Sequence, residues 1–537
     1  MQKRKTVEKL INTFGEPKDD YYNFELIERY FRNRDNSESL QVLSDKTCND
    51  LDMQELFMFT DRTSSKIGQQ YLYNKLRNIP KDDNNQNLKE EIIEELTNNK
   101  ELRTNIQQEL SKLNKDDAYY LSSLFQEDHI KPPKWFPFVK ILSVSSLISL
   151  ILSVYNINMI FVVLAIFIVN LGLHYWNKKN LYEYLGSIPQ LIKLKKVALN
   201  INRNTLLSRL SPNLQESVKV VNQVRNRMSF FQLEAKLQGD LEAVVWGVLE
   251  LIKAMFLLEP ILLFSILKRL NSKKRQIEDI FCYVGEVDTL ISIASLRYGS
   301  DTYCIPNIHG NKIDADKIYH PLIEHCVSNS IIVNNKSVLL TGSNMSGKTT
   351  FIRSIGVNII TGLTLNTCFA KSITIPRLKL FSAIRISDDL MNSKSYYFEE
   401  VLTIKEMISD SQDNAQSIFL LDEIFKGTNT VERIAAGKAV LSYLTKNSNI
   451  VFVSTHDIEL ADMLNMEYDL YHFSEKVDDQ NIDFDYKLKP GKLRNRNAIK
   501  ILKLNGYPTD LINEAIEITE RISYNKTVLL NQKQTIK

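Results

Sequence analysis

Proline and glycine are both scarce in this 537-residue chain, at 13 and 17 residues. That excludes collagen-like, loop-rich and many-turned all-β architectures and favours long helices. Cysteine is no more plentiful. Cys48, Cys282, Cys304, Cys326 and Cys368 are widely spaced, odd in number and form no Cys-x-x-Cys pair. Neither a disulfide framework nor a zinc site follows, and the thiols read as those of a reducing compartment. No charge sign dominates: 67 Lys and Arg against 64 Asp and Glu give a net charge of +3. A globally basic nucleic-acid binder is not indicated, although a local basic patch fits the balance. The first 16 residues are charged and lack the apolar stretch of a secretory signal. What is present is a folded composition, 44% hydrophobic and 24% charged, with length for roughly three or four domains.

Residues 1–130 read as helical, with apolar positions such as Leu51, Leu56, Ile67, Tyr71 and Leu76 at helical spacing. The composition then shifts. Two apolar runs, 141–155 (extended back to 136 across Lys140) and 157–175, contain no Asp, Glu or Arg. A bilayer-spanning helix needs about 20 apolar residues, with about 17 as a lower limit. Residues 131–180 are therefore expected to form a transmembrane helical hairpin. Lys131, Lys134 and Lys140 lie on one flank, with Lys178 and Lys179 on the other, so both flanks are expected on the cytoplasmic side. The competing reading is a buried hairpin in a soluble core. A third apolar stretch, 244–266, carries Glu250, Lys253, Glu259 and Pro260 and reads as core or membrane-adjacent helix rather than a third span. Residues 181–300 form a helical lever or core segment. From 301 to 490 short β-rich runs alternate with helical ones, the pattern of an α/β domain with a mostly parallel sheet. Residues 491–537 read as a helical tail.

The chemistry concentrates in the α/β segment. Gly342-Ser343-Asn344-Met345-Ser346-Gly347-Lys348-Thr349 is a complete P-loop, followed by Thr350. It comes after the apolar run 338–341 and opens a helical pattern, the context that the motif requires. Glycines let the backbone N–H groups curl toward phosphate oxygens, and the helix N-terminus adds partial positive charge. Lys348 is expected at the β- and γ-phosphates and the Thr349 hydroxyl at Mg2+. The strand 418–421 ends in Asp422 and Glu423. Asp422 suits a magnesium-holding role, and Glu423 is placed to polarise an attacking water. A further strand, 450–454, ends at Thr455-His456, where His456 could sense the γ-phosphate.

These residues resemble a known family. Thr341 to Thr350 is similar to the "TGPNMGGKST" loop of the MutS-type mismatch-repair ATPases. Leu421-Asp422-Glu423-Ile424 with Gly427-Thr428-Asn429-Thr430 resembles the family's "DEIGRGTST". Ser454-Thr455-His456 resembles its "ATH", and His320-Pro321 its "RHP". Asp288, Ser292 and Ala294 resemble the ending of the family's lever helices, and Asp61, Thr63 and Gly68 the opening of its core domain. The resemblance implies an α/β P-loop NTPase (ABC/MutS-like) domain at the C-terminus, preceded by a mostly α-helical core and lever domain. It implies ATP and Mg2+ as cofactors and a homodimer with composite sites. Ser395 matches the signature serine that reaches the γ-phosphate of the opposite subunit. Gly427-Thr428-Asn429-Thr430 would line the interface, and 491–537 would be a dimerisation segment.

The departures shape the expectation. The core-like motif begins near residue 43, with no mismatch-recognition domain before it. The family's DNA clamp is replaced by the apolar hairpin, and no nuclease domain follows. The position of the family's adenine-stacking aromatic falls at Cys326 or Val327. Lys487, Lys489, Lys492, Arg494, Arg496 and Lys500 form a basic cluster suited to DNA phosphates, a nucleotide or acidic lipid, or to a solvated face. The reading is a MutS-like ATP hydrolase, mismatch-repair-related and DNA-associated, held to a membrane on its cytoplasmic face by two spans within 136–176. The alternative is a membrane-remodelling or transport-linked ATPase with no DNA role.

Overall fold

The computed structural model describes residues 2–82, 85–224, 228, 243–343, 345–385, 396–413, 415–477, 482–493, 498–519 and 521. The chain divides into two compact units. One comprises Met1–Ser39, Phe57–Asn78 and Asp82–Asp301; the other comprises Leu40–Leu56, Ile79–Lys81 and Thr302–Lys537. The segment Leu40–Leu56, read from sequence with the N-terminal helices, thus clusters with the α/β residues. All five cysteines are free thiols.

The first unit is helical. Helix α1 (Lys66–Arg77) starts at Ser65, whose hydroxyl accepts the Gly68 N–H. It packs along a 25-residue helix, Lys274–Tyr298. Ile277, Phe281, Val284, Val287 and Ile291 recur along that helix at three- and four-residue spacing and are all buried. Close approach comes from small residues. A Cβ on Gly68 would lie 2.2 Å from Oδ2 of Asp288, and one on Gly285 would lie 2.6 Å from the Tyr71 ring. The Asp288 carboxylate, fully buried, accepts from Ser64 N at 2.8 Å, Ser65 N at 2.9 Å and the Ser65 hydroxyl at 2.5 Å. Ser292 accepts from Arg62 N and donates to Thr60 O. The two segments that resemble the family's core opening and lever ending, far apart in sequence, are therefore in contact.

The apolar hairpin is formed by α2 (Phe136–Ser153) and α3 (Met159–Asn180), the two described helices long and apolar enough to cross a membrane. Few of their residues are buried. Phe138, Ile141, Phe161 and Ile168 are each more than half exposed, so these are not buried core helices. The third apolar stretch breaks in two, into α4 (Ala243–Phe256) and α5 (Leu258–Leu270), with Leu257 left-handed at φ 48°. Pro260 explains the break: in a continuous helix its ring would strike the carbonyl of Phe256. The carbonyls freed there are satisfied by the hairpin. Ser143 Oγ donates to Phe256 O and Asn170 Nδ2 to Met255 O, each at 2.7 Å.

The second unit is built on a six-stranded sheet. Its strands are β1 (Ser337–Thr341), β2 (Lys379–Ala383), β3 (Ser417–Asp422), β4 (Ile450–Ser454), β5 (Tyr468–His472) and β6 (Lys489–Pro490). Their spatial order is β6-β5-β1-β4-β3-β2, parallel except for the antiparallel edge strand β6. Strands β1 and β4 are buried throughout, as expected for uninterrupted apolar runs inside a parallel sheet. A helix leaves each turn: α6 (Lys348–Leu365) after β1, α7 (Tyr396–Asp410) before β3 and α8 (Thr430–Leu444) after it. Phe419, Leu421, Val451, Val453, Leu441 and Leu460 belong to its core. Register places Asp422 beside Ser454, aligning the carboxyl ends of β3 and β4 with that of β1. Parallel α/β sheets bind ligands at these ends. A second sheet of four short strands (Asn307–Ile308, Ile313–Ile318, Asn329–Val333 and Ser372–Ile375) belongs to the same unit.

Candidate nucleotide site

The turn between β1 and α6 is the P-loop. Gly342 has φ 147° and Gly347 has φ 103°, backbone values that side chains rarely adopt. At Gly342 a Cβ would lie 2.7 Å from Phe473 O and 2.9 Å from Ser346 Oγ. The cradle therefore has no room for a side chain. Lys348 is almost wholly buried, and its ammonium donates to Gly342 O at 2.6 Å and Ser343 O at 2.8 Å. Burial draws its pKa below the ordinary lysine value. Ser343 Oγ donates to Glu475, and Ser346 Oγ to Ser343 O. Met345 is exposed, while Thr350 opens the helix behind Lys348 and Thr349. Asn344 lies outside the described residues.

Thr349 donates to Asp422 Oδ2 at 2.7 Å, and Ser454 donates to the other oxygen of the same carboxylate. Glu423 follows in a left-handed conformation, φ 54°, with its N–H bonded to Ser454 O. The bend turns its carboxylate toward the end of β4. There His456 Nε2 lies 2.6 Å from Oε1, and Lys426 Nζ lies 3.1 Å from Oε2. Burial raises the Glu423 pKa, but the His456 hydrogen bond and the two nearby positive groups outweigh it and hold the pKa at about 2. The carboxylate is thus ionised at neutral pH, as a base must be.

Two features escaped the sequence reading. Glu400, buried in α7, accepts the N–H of Phe425, which is also left-handed at φ 61°. Burial raises the Glu400 pKa. Its carboxylate fastens α7 to the loop after β3. Ser395 itself lies outside the described residues. Arg433 of α8 donates from Nε and Nη2 to the two carboxylate oxygens of Asp457, at 2.9 and 2.7 Å, and so anchors the residue after His456.

Beside the P-loop opens a cavity of about 400 Å³. Cys326 and Val327 line it, with Met345, Thr350, Phe473 and Tyr486. Tyr486 supplies an aromatic face that sequence position did not suggest. It comes from a segment more than 100 residues further along the chain, its ring 3.3 Å from where a Gly347 Cβ would be. Asn329 pins that segment, donating to Tyr486 O and accepting from Leu488 N. A volume of this order suits a small organic ligand. The basic cluster is more engaged than its sequence suggests. Lys489 pairs with Asp485 and Lys492 with Asp462; Arg494 and Arg496 lie outside the described residues.

The donor set fits a triphosphate with Mg2+: an amide cradle, one lysine, and hard oxygens from a hydroxyl and a carboxylate. Residues 338–523 match the family model described as MutS domain V. The matched stretch contains the P-loop, Asp422, Glu423 and His456. Relatives named DNA mismatch repair protein MutS agree. The protein of Petrotoga mobilis is 28% identical over 383 residues, covering 67% of this chain and 46% of that protein. That of Aquifex pyrophilus is 28% identical over 254 residues, covering 45% and 29%. That of Clostridium tetani is 29% identical over 259 residues, again covering 45% and 29%. The chain spans less than half the length of these relatives.

Proposed function

We propose that the chain is a MutS-like ATPase that binds and hydrolyses ATP with Mg2+ at this site. The observation that carries the reading is the hydrogen bond from Thr349 to Asp422 under the P-loop, with an ionised Glu423 next in sequence. On this reading Lys348 exchanges the carbonyls of Gly342 and Ser343 for phosphate oxygens. Thr349 and Asp422 would hold Mg2+ through their side-chain oxygens, and the ion would supply neutralisation of phosphate charge. Glu423 orients and deprotonates the attacking water, and His456 holds the carboxylate in place and reads the outermost phosphate. The nucleotide base would occupy the cavity that Tyr486 helps to line. Following the family resemblance, two copies close around the nucleotides, each lending Ser395 to the other. Purified protein should hydrolyse ATP in a Mg2+-dependent way, and Lys348→Ala should abolish tight nucleotide binding. Unchanged binding in that variant would refute the assignment.

The membrane part of the proposal rests on the exposed apolar surfaces of α2 and α3. The chain is proposed to sit on the cytoplasmic face, anchored by 136–176. Sedimentation with membranes that is lost on deletion of 136–176 would support this; a detergent-free soluble intact chain would refute it. The DNA-associated, mismatch-repair-related role follows the names of the relatives. A second reading, a membrane-remodelling or transport-linked ATPase without DNA, draws support from the pairing of Lys489 and Lys492 with carboxylates. Filter binding across a salt series separates the two. A DNA ligand gives affinity that falls steeply with salt and responds to ATP.

A further inference from the structure

The helices beside the hairpin carry an ionisable cluster that the nucleotide reading does not use. His174 comes from α3, Glu250 from α4 and Glu259 from the first turn of α5. One ligand atom from each lies within 4.8 Å of the other two. His174 is 2% exposed and Glu259 1%. His174 Nε2 lies 3.3 Å from Glu250 Oε2, and Nδ1 lies 3.8 Å from Glu259 Oε2. Yet His174 Nδ1 and Glu259 Oε2 are both buried without a hydrogen-bond partner. Buried polar atoms are nearly always paired, so two unpaired buried atoms facing each other beside the Glu250 carboxylate need an explanation. Ionisable groups packed against an apolar hairpin are costly, which makes retention for packing alone a poor one.

We propose that His174, Glu250 and Glu259 bind one transition-metal dication of the zinc class, through one imidazole nitrogen and one oxygen from each carboxylate. Mixed imidazole and carboxylate donors suit such ions better than Mg2+ or Ca2+, which take oxygen alone. Two ammonium groups compete for the same carboxylates. Lys253 lies 2.6 Å from Glu259 Oε1 and 3.1 Å from Glu250 Oε2, and Lys178 lies 2.9 Å from Glu250 Oε1. Lys253 gives way on its flexible stem as the dication enters, while Lys178, half exposed, stays at the rim. Because the three ligands come from three helices, occupancy clamps the broken pair α4 and α5 to α3. The site is independent of the ATPase reading.

The test is Co2+ titration of the purified full chain in detergent, with millimolar Mg2+ present to saturate oxygen-only sites. The expected result is one Co2+ per chain with visible d–d bands, displaced by Zn2+. His174→Ala and Glu259→Gln should each weaken binding at least about tenfold, since even outer partners of metal ligands are worth 10–100-fold. Lys253→Met should tighten it by removing the competing cation. Glu250→Gln, at the more exposed edge, serves if a buried variant fails to fold, and should also weaken binding about tenfold or more. Absence of stoichiometric Co2+ uptake, or uptake unchanged in the folded ligand variants, would show a closed ion cluster and overturn the proposal.

Discussion

The Thr349 hydroxyl donates a 2.7 Å hydrogen bond to Asp422, joining residues 73 apart in sequence at the mouth of the P-loop. On the proposed reading, the partners hold each other where Mg2+ would bind. Thr349→Ala removes an oxygen proposed to ligate Mg2+ and should weaken Mg2+-dependent nucleotide binding by at least about tenfold, since even outer partners of metal ligands are worth about 10–100-fold. Binding without Mg2+ should change little. Fluorescent-nucleotide titration with and without the metal measures both.

Glu423→Gln should leave nucleotide binding intact and lower hydrolysis by roughly 10²–10⁴-fold, the usual contribution of a positioned base. The pKa of about 2 also fixes a sign. The folded value lies below the ordinary 4.5, so the associated stability is present above pH 4.5 and is lost as pH falls toward 2. No loss of activity from Glu423 protonation is expected between pH 5 and pH 8. In His456→Ala the strongest lowering influence is gone, and the acidic limb of the pH–rate profile should move upward. A profile unchanged by that substitution would argue against the pair.

Gly68→Ala should destabilise the helical unit by about 1–3 kcal/mol, the usual cost of overpacking. The new methyl would meet the Asp288 carboxylate at 2.2 Å. That carboxylate cannot swing aside without breaking its bonds to Ser64 and Ser65. Thermal melting of the variant against the parent checks the claim.

His320 is buried, and burial, aided by Arg353, lowers its pKa from 6.5 to about 4. The folded state resists protonation, so stability should fall as pH drops from 6.5 to 4 and level off below. The shift corresponds to about 3 kcal/mol. His320→Asn keeps an acceptor for the N–H of Leu322 but cannot titrate, and should flatten that part of the melting-temperature profile.

The sequence alone carried the P-loop, the acidic strand tip, His456 and the two apolar helices. Each depends on short-range pattern: glycines at fixed offsets, an apolar run ending in acids, unbroken hydrophobicity. Pattern also marked Gly68, Asp288 and Ser292 by resemblance, without saying that they touch. Only the tertiary structure decided that 40–56 clusters with the α/β unit, that Tyr486 faces the cavity, and that Glu400 ties α7 to Phe425. It also decided that the chain breaks at Leu257 and gathers His174, Glu250 and Glu259 around one point. Those facts depend on which residues distant in sequence become neighbours. Periodicity assigns a side chain to a face, but the chain's return path and the packing of many weak contacts determine what that face meets.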